Sequence, residues 1–127
     1  MEKIHFKQAE YWLKGSQQIA QMPGDEKEKY AVAVAMCVHA IIKANDALTY
    51  KYLNLTAKRH DDARRHFEDL IKKNIIKSEY ANYKNYIQDA ISNKAKAEYR
   101  GSFFSKRDYE DLRRKAEKFI KMAKEYV

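Results

Sequence analysis

The chain has few of the residues that end or interrupt helices. Among its 127 residues there are one proline and three glycines, whereas Ala, Lys, Glu, Ile and Leu are abundant. Proline and glycine are the poorest helix formers, and the abundant residues include the best ones. The composition therefore predicts an all-α fold with short connections between long helices.

A single cysteine, Cys37, excludes an internal disulfide. A chain without disulfides is typical of a reducing compartment, so we expect a cytoplasmic protein. Cys37 lies within an apolar segment, which predicts a packed and inert thiol rather than a nucleophile.

Long apolar runs, targeting segments and the common catalytic signatures are also missing. The longest strongly apolar run, Ala31 to Ile42, is too short to span a bilayer, and no basic segment followed by an apolar stretch opens the chain. There is no glycine-rich phosphate loop, and four histidines and one cysteine at unrelated spacings offer no zinc site. The sequence therefore predicts no membrane insertion, no signal peptide, no bound metal and no cofactor.

Positive charge is in excess and unevenly distributed. The formal net charge is +8, of which +1 falls in residues 1–55 and +7 in residues 56–127. A basic half is typical of proteins that bind a polyanion such as RNA, a nucleotide or an acidic protein. The alternative is that the lysine-rich helices expose a solvated outer face that needs no partner.

Five segments with helical periodicity predict one domain over residues 1–127, an up-and-down antiparallel bundle of four to five helices. They begin near residues 2, 26, 61, 78 and 106, and the first four end near residues 22, 55, 74 and 100. Helix start and stop signals support these bounds. Pro23-Gly24 ends the first helix, Asp25 and Glu28 form a capping box for the second, Asp61-Asp62 is an N-cap for the third, and Ser105 and Asp108 form a capping box for the fifth.

The second helix combines an apolar surface on every side with polar residues inside it. Its first half reads Tyr30-Ala-Val-Ala-Val-Ala-Met-Cys-Val, and His39, Asn45 and Asp46 follow. A helix without a polar face belongs at the centre of a bundle, where polar groups must find partners or cost free energy. The three residues are therefore either ligand-binding groups or internal contacts that hold the bundle in register, as a buried Asn does in coiled coils.

Asp46 is the most informative of the three, because a buried carboxylate needs a cation or several hydrogen-bond donors. Lys58, Arg59 and His60 follow the same helix closely in sequence. We expect one of them to supply the charge.

Two segments carry a resemblance to a known family. One is His39-Ala-Ile-Ile-Lys-Ala-Asn45-Asp46-Ala-Leu followed by Arg59-His60-Asp61-Asp62-Ala63, and the other is Lys94-Ala-Lys96-Ala-Glu-Tyr99-Arg100-Gly101 followed by Tyr109 and Ala116-Glu-Lys-Phe119. Together they resemble the HEPN family, most of all its stand-alone archaeal and bacterial members. The resemblance implies a four- or five-helix up-and-down bundle, usually a homodimer. It also implies nucleotide binding, or a metal-independent RNase or toxin paired with a nucleotidyltransferase antitoxin.

The RNase members of that family carry Arg-x(4–6)-His near the start of a late helix, where Arg stabilises phosphate charge and His is the general acid or base. This chain has the spacing once, from Arg59 to His66, with His60 directly after the arginine. The spacing lies before and within the third predicted helix, and the C-terminal helices contain no histidine. Arg59, His60 and His66 are therefore the catalytic candidates, but we expect little or no ribonuclease activity.

A predicted loop after the fourth helix gathers aromatic and cationic side chains. Tyr99 and Arg100 precede Phe103 and Phe104. Such side chains can stack on a base or contact its phosphate. The alternative is that the loop aromatics fold back onto the bundle or into a dimer contact.

The leading hypothesis is a small cytoplasmic helical dimer that binds a nucleotide or RNA without catalysis of its own. Its predicted ligand-binding residues are Asn45, Asp46, Arg59, His60, Tyr99 and Arg100. Two alternatives stay open: a metal-independent RNase of the same family, and an interaction module that pairs with a nucleotidyltransferase.

Overall fold

The computed structural model describes residues 1–98 and 103–127, and within them it contains helices and no strand. The helices are α1 (Glu2–Gln21), α2 (Glu26–Leu53), α3 (His60–Lys72), a 3-10 helix (Ser78–Tyr83), α4 (Lys84–Glu98) and α5 (Lys106–Tyr126). The predicted all-α bundle is confirmed.

The long helix α2 lies at the centre of the bundle. It packs against α1, α3, α4 and α5, and 13 of its 28 residues are buried. By contrast α1 buries only Ala9 and Ser16 completely, and its Trp12 is half-buried. An outer helix that covers one side of a central apolar helix needs no more than this narrow buried stripe.

Contacts between the helices give their directions. Trp12 stacks on His39, and His5 lies against Tyr50, so α1 runs antiparallel to α2. Tyr30 stacks on Tyr109 near the start of both helices, so α5 runs parallel to α2. This is the order expected when α1, α2, α4 and α5 alternate in direction around the bundle.

As a whole, α2 is long and apolar enough to cross a membrane, although its most apolar run is short. Within the bundle, however, 61% of the apolar window of α2 is buried against other parts of the chain. Burial of this kind is what the core helix of a folded bundle requires, and it gives no evidence of a membrane span.

Most helix ends lie close to the residues predicted from the capping signals. Ser105 and Asp108 form the predicted capping box of α5, and the Asp25 side chain accepts from two backbone amides at the start of α2. The end of α2 lies at Leu53 rather than Leu55, because Asn54 adopts a left-handed conformation with φ of 55°. Such a residue is a common helix C-cap.

Two helix starts differ from the prediction. The predicted cap at Asp61-Asp62 is wrong, since α3 begins at His60 and its N-cap, Arg59, makes no side-chain hydrogen bond to the helix. Both acids lie in the first turn, where their negative charge interacts favourably with the positive end of the helix dipole. Asp62 also pairs with Arg65 at 3.0 Å. Ser78 begins a 3-10 helix, and regular α4 starts only at Lys84.

Candidate functional site

The connection between α2 and α3, residues 54–59, folds back along the last turns of α2. Two buried side chains of α2 hold it there. Thr49 Oγ1 donates a hydrogen bond to the carbonyl oxygen of Leu55 at 2.8 Å, and the amide of Ala57 donates to Asp46 Oδ1 at 3.3 Å. The connection therefore runs antiparallel to the end of α2 and places the start of α3 beside the middle of α2.

Asn45 makes the next contact in the same direction. Its side-chain amide donates to the carbonyl oxygen of Ala63 in α3 at 3.0 Å, and Asn45 is only 1% exposed. Its Oδ1 is buried and has no hydrogen-bond partner in the described part of the chain. Asn45 thus has an internal contact of the kind expected for a register-setting residue, and its predicted contact with a ligand stays a prediction.

Asp46 is 7% exposed, and its burial raises the pKa of its carboxyl group above the ordinary value. The Ala57 amide and the charges of His5, Lys43 and His60 oppose this shift without cancelling it. Among the described residues, no cation forms an ion pair with Asp46. The expected direct cation partner is therefore absent there. Of the three predicted candidates, only His60 acts on Asp46, less than His5 and Lys43 do, and the exposed Lys58 and Arg59 do not.

A group of basic side chains lies beside this connection, where α2 faces α1, α3 and α4. We call it the basic cluster and define it as His39, Lys43, His60 and Lys94. The amino group of Lys94 contacts Nε2 of His60, which joins α4 to the first residue of α3. Partial burial, followed by the charges of Lys94, His60 and Lys43, lowers the pKa of His39. Lys43 and Lys94 therefore place positive charge beside the imidazoles of His39 and His60.

Trp12 of α1 completes this surface. The imidazole of the exposed His39 stacks on its indole, with ring centroids 4.7 Å apart and an interplanar angle of 27°. Aromatic faces beside cations are the two elements that recognise a base and its phosphate. The basic cluster together with Trp12 is therefore the arrangement in the described residues that best fits a phosphate-bearing aromatic ligand.

The other predicted ligand residues fall in different places. Arg59 is exposed and directly precedes His60, at the edge of the basic cluster. Tyr99 and Arg100 lie outside the described residues. Of the two phenylalanines that follow, Phe103 is 57% exposed, whereas Phe104 is 1% exposed with the Lys96 amino group 4.9 Å from its ring centroid. One loop aromatic thus folds back onto the bundle.

The catalytic candidates do not converge. His66 is 9% exposed, and its buried Nδ1 has no partner in the described residues, whereas Arg59 is exposed at the N-cap of α3. Arg64, the other nearby arginine, pairs with Glu68 at 2.8 Å. An acid–base pair needs hydrogen-bond reach to a shared substrate, and no contact between Arg59 and His66 occurs in the described chain.

A second cleft, of about 530 Å³, lies between α1 and the start of α5. Tyr30 and Tyr109 stack at its wall with centroids 5.9 Å apart. Arg113 also lines it and pairs with Glu117 at 2.7 Å, and Glu117 accepts from Gln17 at 3.1 Å. Arg113 is therefore paired within α5, and its partner Glu117 links α5 to α1.

Comparison of the chain with protein-family models, with curated proteins and with solved structures finds no match. The HEPN resemblance therefore stays a prediction.

The environment of Asp46 generates a stability prediction. Because the folded protein raises the pKa of Asp46, the folded state binds this proton more tightly than the unfolded state. The resulting stabilisation of the folded state is fully present at a pH below 3.8, the ordinary pKa of the carboxyl group. It is lost as the pH rises through the raised pKa of Asp46 in the folded protein. Asp46→Asn keeps an oxygen for the Ala57 amide and removes the buried charge. We expect it to be at least as stable as wild type near pH ~7 and to lack this pH dependence.

Asp46→Ala is the matched comparison, because it loses both the hydrogen bond and the packing. We expect a loss of about 1–2 kcal/mol in the free energy of unfolding, measured by urea denaturation. A large loss of stability in Asp46→Asn would contradict this account and indicate that a cation pairs with Asp46.

Proposed function

We propose that the protein binds a nucleotide or an RNA segment at the basic cluster, without catalysing a reaction of its own. The observation that carries the proposal is the exposed stack of His39 on Trp12 within the field of Lys43, His60 and Lys94. We further propose that it acts in the cytoplasm as a homodimer.

A nucleotide matches both elements of this surface. Its base offers a planar face to the Trp12–His39 stack, and such stacking is worth about 1–3 kcal/mol per base. Its phosphate offers charge to the side chains of Lys43 and Lys94, and charge-assisted hydrogen bonds are stronger than neutral ones. Arg59 lies at the edge of the cluster, where it can contact a second phosphate.

His39 gives this proposal a directly measurable signature. In the free protein partial burial, followed by the charges of Lys94, His60 and Lys43, lowers the pKa of His39. An anion bound beside these charges offsets their contribution, so binding raises the pKa of His39 and is accompanied by proton uptake. We therefore expect a nucleoside monophosphate to shift the NMR titration of His39 upward and to bind more tightly near pH ~6 than near pH ~8.

Two controls sharpen this measurement. The corresponding nucleoside, which lacks phosphate, should leave the pKa of His39 low. Lys43→Gln should weaken nucleotide binding about tenfold, while Lys72→Gln, which removes an exposed charge at the far end of α3, should change it little. An unchanged pKa of His39 at saturating nucleotide would overturn the proposal.

We expect the purified protein to show no metal-independent RNA cleavage. His66 is buried away from the exposed Arg59, and the Nε2 of His60 is engaged by Lys94. The test compares RNA turnover by wild type, His60→Ala and His66→Ala in the presence of a chelator. Robust cleavage that either substitution abolishes would make ribonuclease activity the preferred function.

The proposed dimer is supported by apolar side chains on the outer face of α1. Ile4 is 54% exposed and Tyr11 is 66% exposed, and the two lie seven residues apart on one helix face. Burying such a patch requires a partner surface. We expect sedimentation at micromolar concentration to show a dimer that Tyr11→Glu dissociates and that Lys72→Glu, an exposed charge change at the end of α3, leaves intact. A monomeric wild type would contradict this.

A further inference from the structure

A recess lies between the 3-10 helix and the C-terminal half of α5, apart from the residues of the basic cluster. Its volume is about 360 Å³, and its lining residues are Tyr80, Tyr83, Lys118, Lys121, Met122 and Glu125. This size is at the lower end of the range for small-ligand sites. Aromatic rings, cations and one carboxylate therefore meet in a single concave surface.

The aromatic wall of the recess is held by its neighbours. The ring of Tyr83 packs on Tyr86 with centroids 4.7 Å apart, and behind it lies the buried Phe119 at 6.5 Å. Tyr80 meets Tyr83 edge to face at 5.2 Å. A ring supported on several sides is a preformed platform on which a base can stack with little ordering cost.

The cations of α5 divide into two groups. Arg113 pairs with Glu117 at 2.7 Å, and Lys115 pairs with Asp89 at 2.8 Å, which links α5 to α4. Arg114, Lys118 and Lys121 follow one exposed helix face at intervals of four and three residues, and they form no ion pair within the described ranges. Their charge is thus available to phosphates of a strand passing the recess.

Glu125 places a negative charge in a recess whose lysines would otherwise suit phosphate alone. The hydroxyl of Tyr80 contacts both of its oxygens, at 3.0 and 3.3 Å, and this contact raises the pKa of Tyr80 to about 12. The carboxylate is therefore oriented beside the aromatic wall. A carboxylate accepts hydrogen bonds from the amino group of a base, as in its pairing with N4 of cytosine, and repels the carbonyl oxygen that uracil presents at the same place.

We propose that this recess is a second binding site, which holds one amino-bearing base of a single-stranded nucleic acid by stacking on Tyr83 and hydrogen bonding to Glu125. Lys118, Lys121 and Arg114 contact the flanking phosphates. The inference rests on the proposed binding of a nucleotide or RNA. It adds that the ligand is a strand that contacts a second surface, and that the protein discriminates against uracil.

The test compares labelled oligocytidine and oligouridine of about eight nucleotides by fluorescence anisotropy at low salt, since both are pyrimidine strands of equal charge. We expect oligocytidine to bind about tenfold more tightly. Glu125→Gln should reduce this ratio to about twofold or less, because the amide also donates to the uracil carbonyl. Thermal melting confirms that the variant is folded.

A matched pair tests the contribution of the cations. Lys121→Ala should weaken binding of both strands and flatten the dependence of affinity on salt, whereas Lys124→Ala, which removes an equal exposed charge outside the recess lining, should have a smaller effect. Equal affinity for the two strands, or a preference that survives Glu125→Gln, would overturn the proposal for the recess.

Cytidine monophosphate separates this inference from the function it rests on. A nucleotide that raises the pKa of His39 equally in wild type and Glu125→Gln supports the basic cluster, whatever the outcome for the recess. A cytidine preference without any response of His39 would leave the recess standing and overturn the basic cluster. Failure of both oligonucleotides to bind would overturn the recess, and failure of the nucleotide to shift the pKa of His39 as well would overturn both sites.

Discussion

The candidate site depends on the backward path of the α2–α3 connection along α2. Without it, α3 would begin beyond the end of α2, far from His39. Thr49 and Asp46 hold the connection, and Asn45 holds the first turns of α3. As a result His60 lies next to Lys94 of α4. Polar contacts buried on the apolar helix α2 therefore determine where its own basic side chains meet those of α3 and α4.

Local signals made the fold predictable. One proline, three glycines and clear caps predicted the helices, and the apolar character of α2 predicted its central position. The start of α3 was mispredicted because two adjacent acids suit a first turn as well as an N-cap. The change from 3-10 to α geometry at Lys84 has no evident sequence signal.

The site was only partly predictable, because its geometry depends on contacts between distant segments. Burial of Asn45 and Asp46 was correctly anticipated, whereas the predicted burial of His39 was wrong, because His39 lies on the exposed side of α2. The roles of Trp12, Lys43 and Lys94 were missed, since they come from three helices with no shared motif. Nor did the sequence separate paired from unpaired cations, because Arg113 and Arg114 are neighbours that face different surroundings.

The lightly held connection has a consequence for motion. Residues 54–59 are held to α2 by backbone hydrogen bonds at Asn54 and Leu55 and by the side chains of Thr49 and Asp46, so opening this segment requires only these few hydrogen bonds to break. Its opening would separate His60 from the remaining basic side chains while the α1–α2 core stays packed. Ligand affinity and protection of the Ala57 amide hydrogen from exchange are thus coupled. A change that loosens this short segment is expected to weaken ligand binding and to speed that exchange.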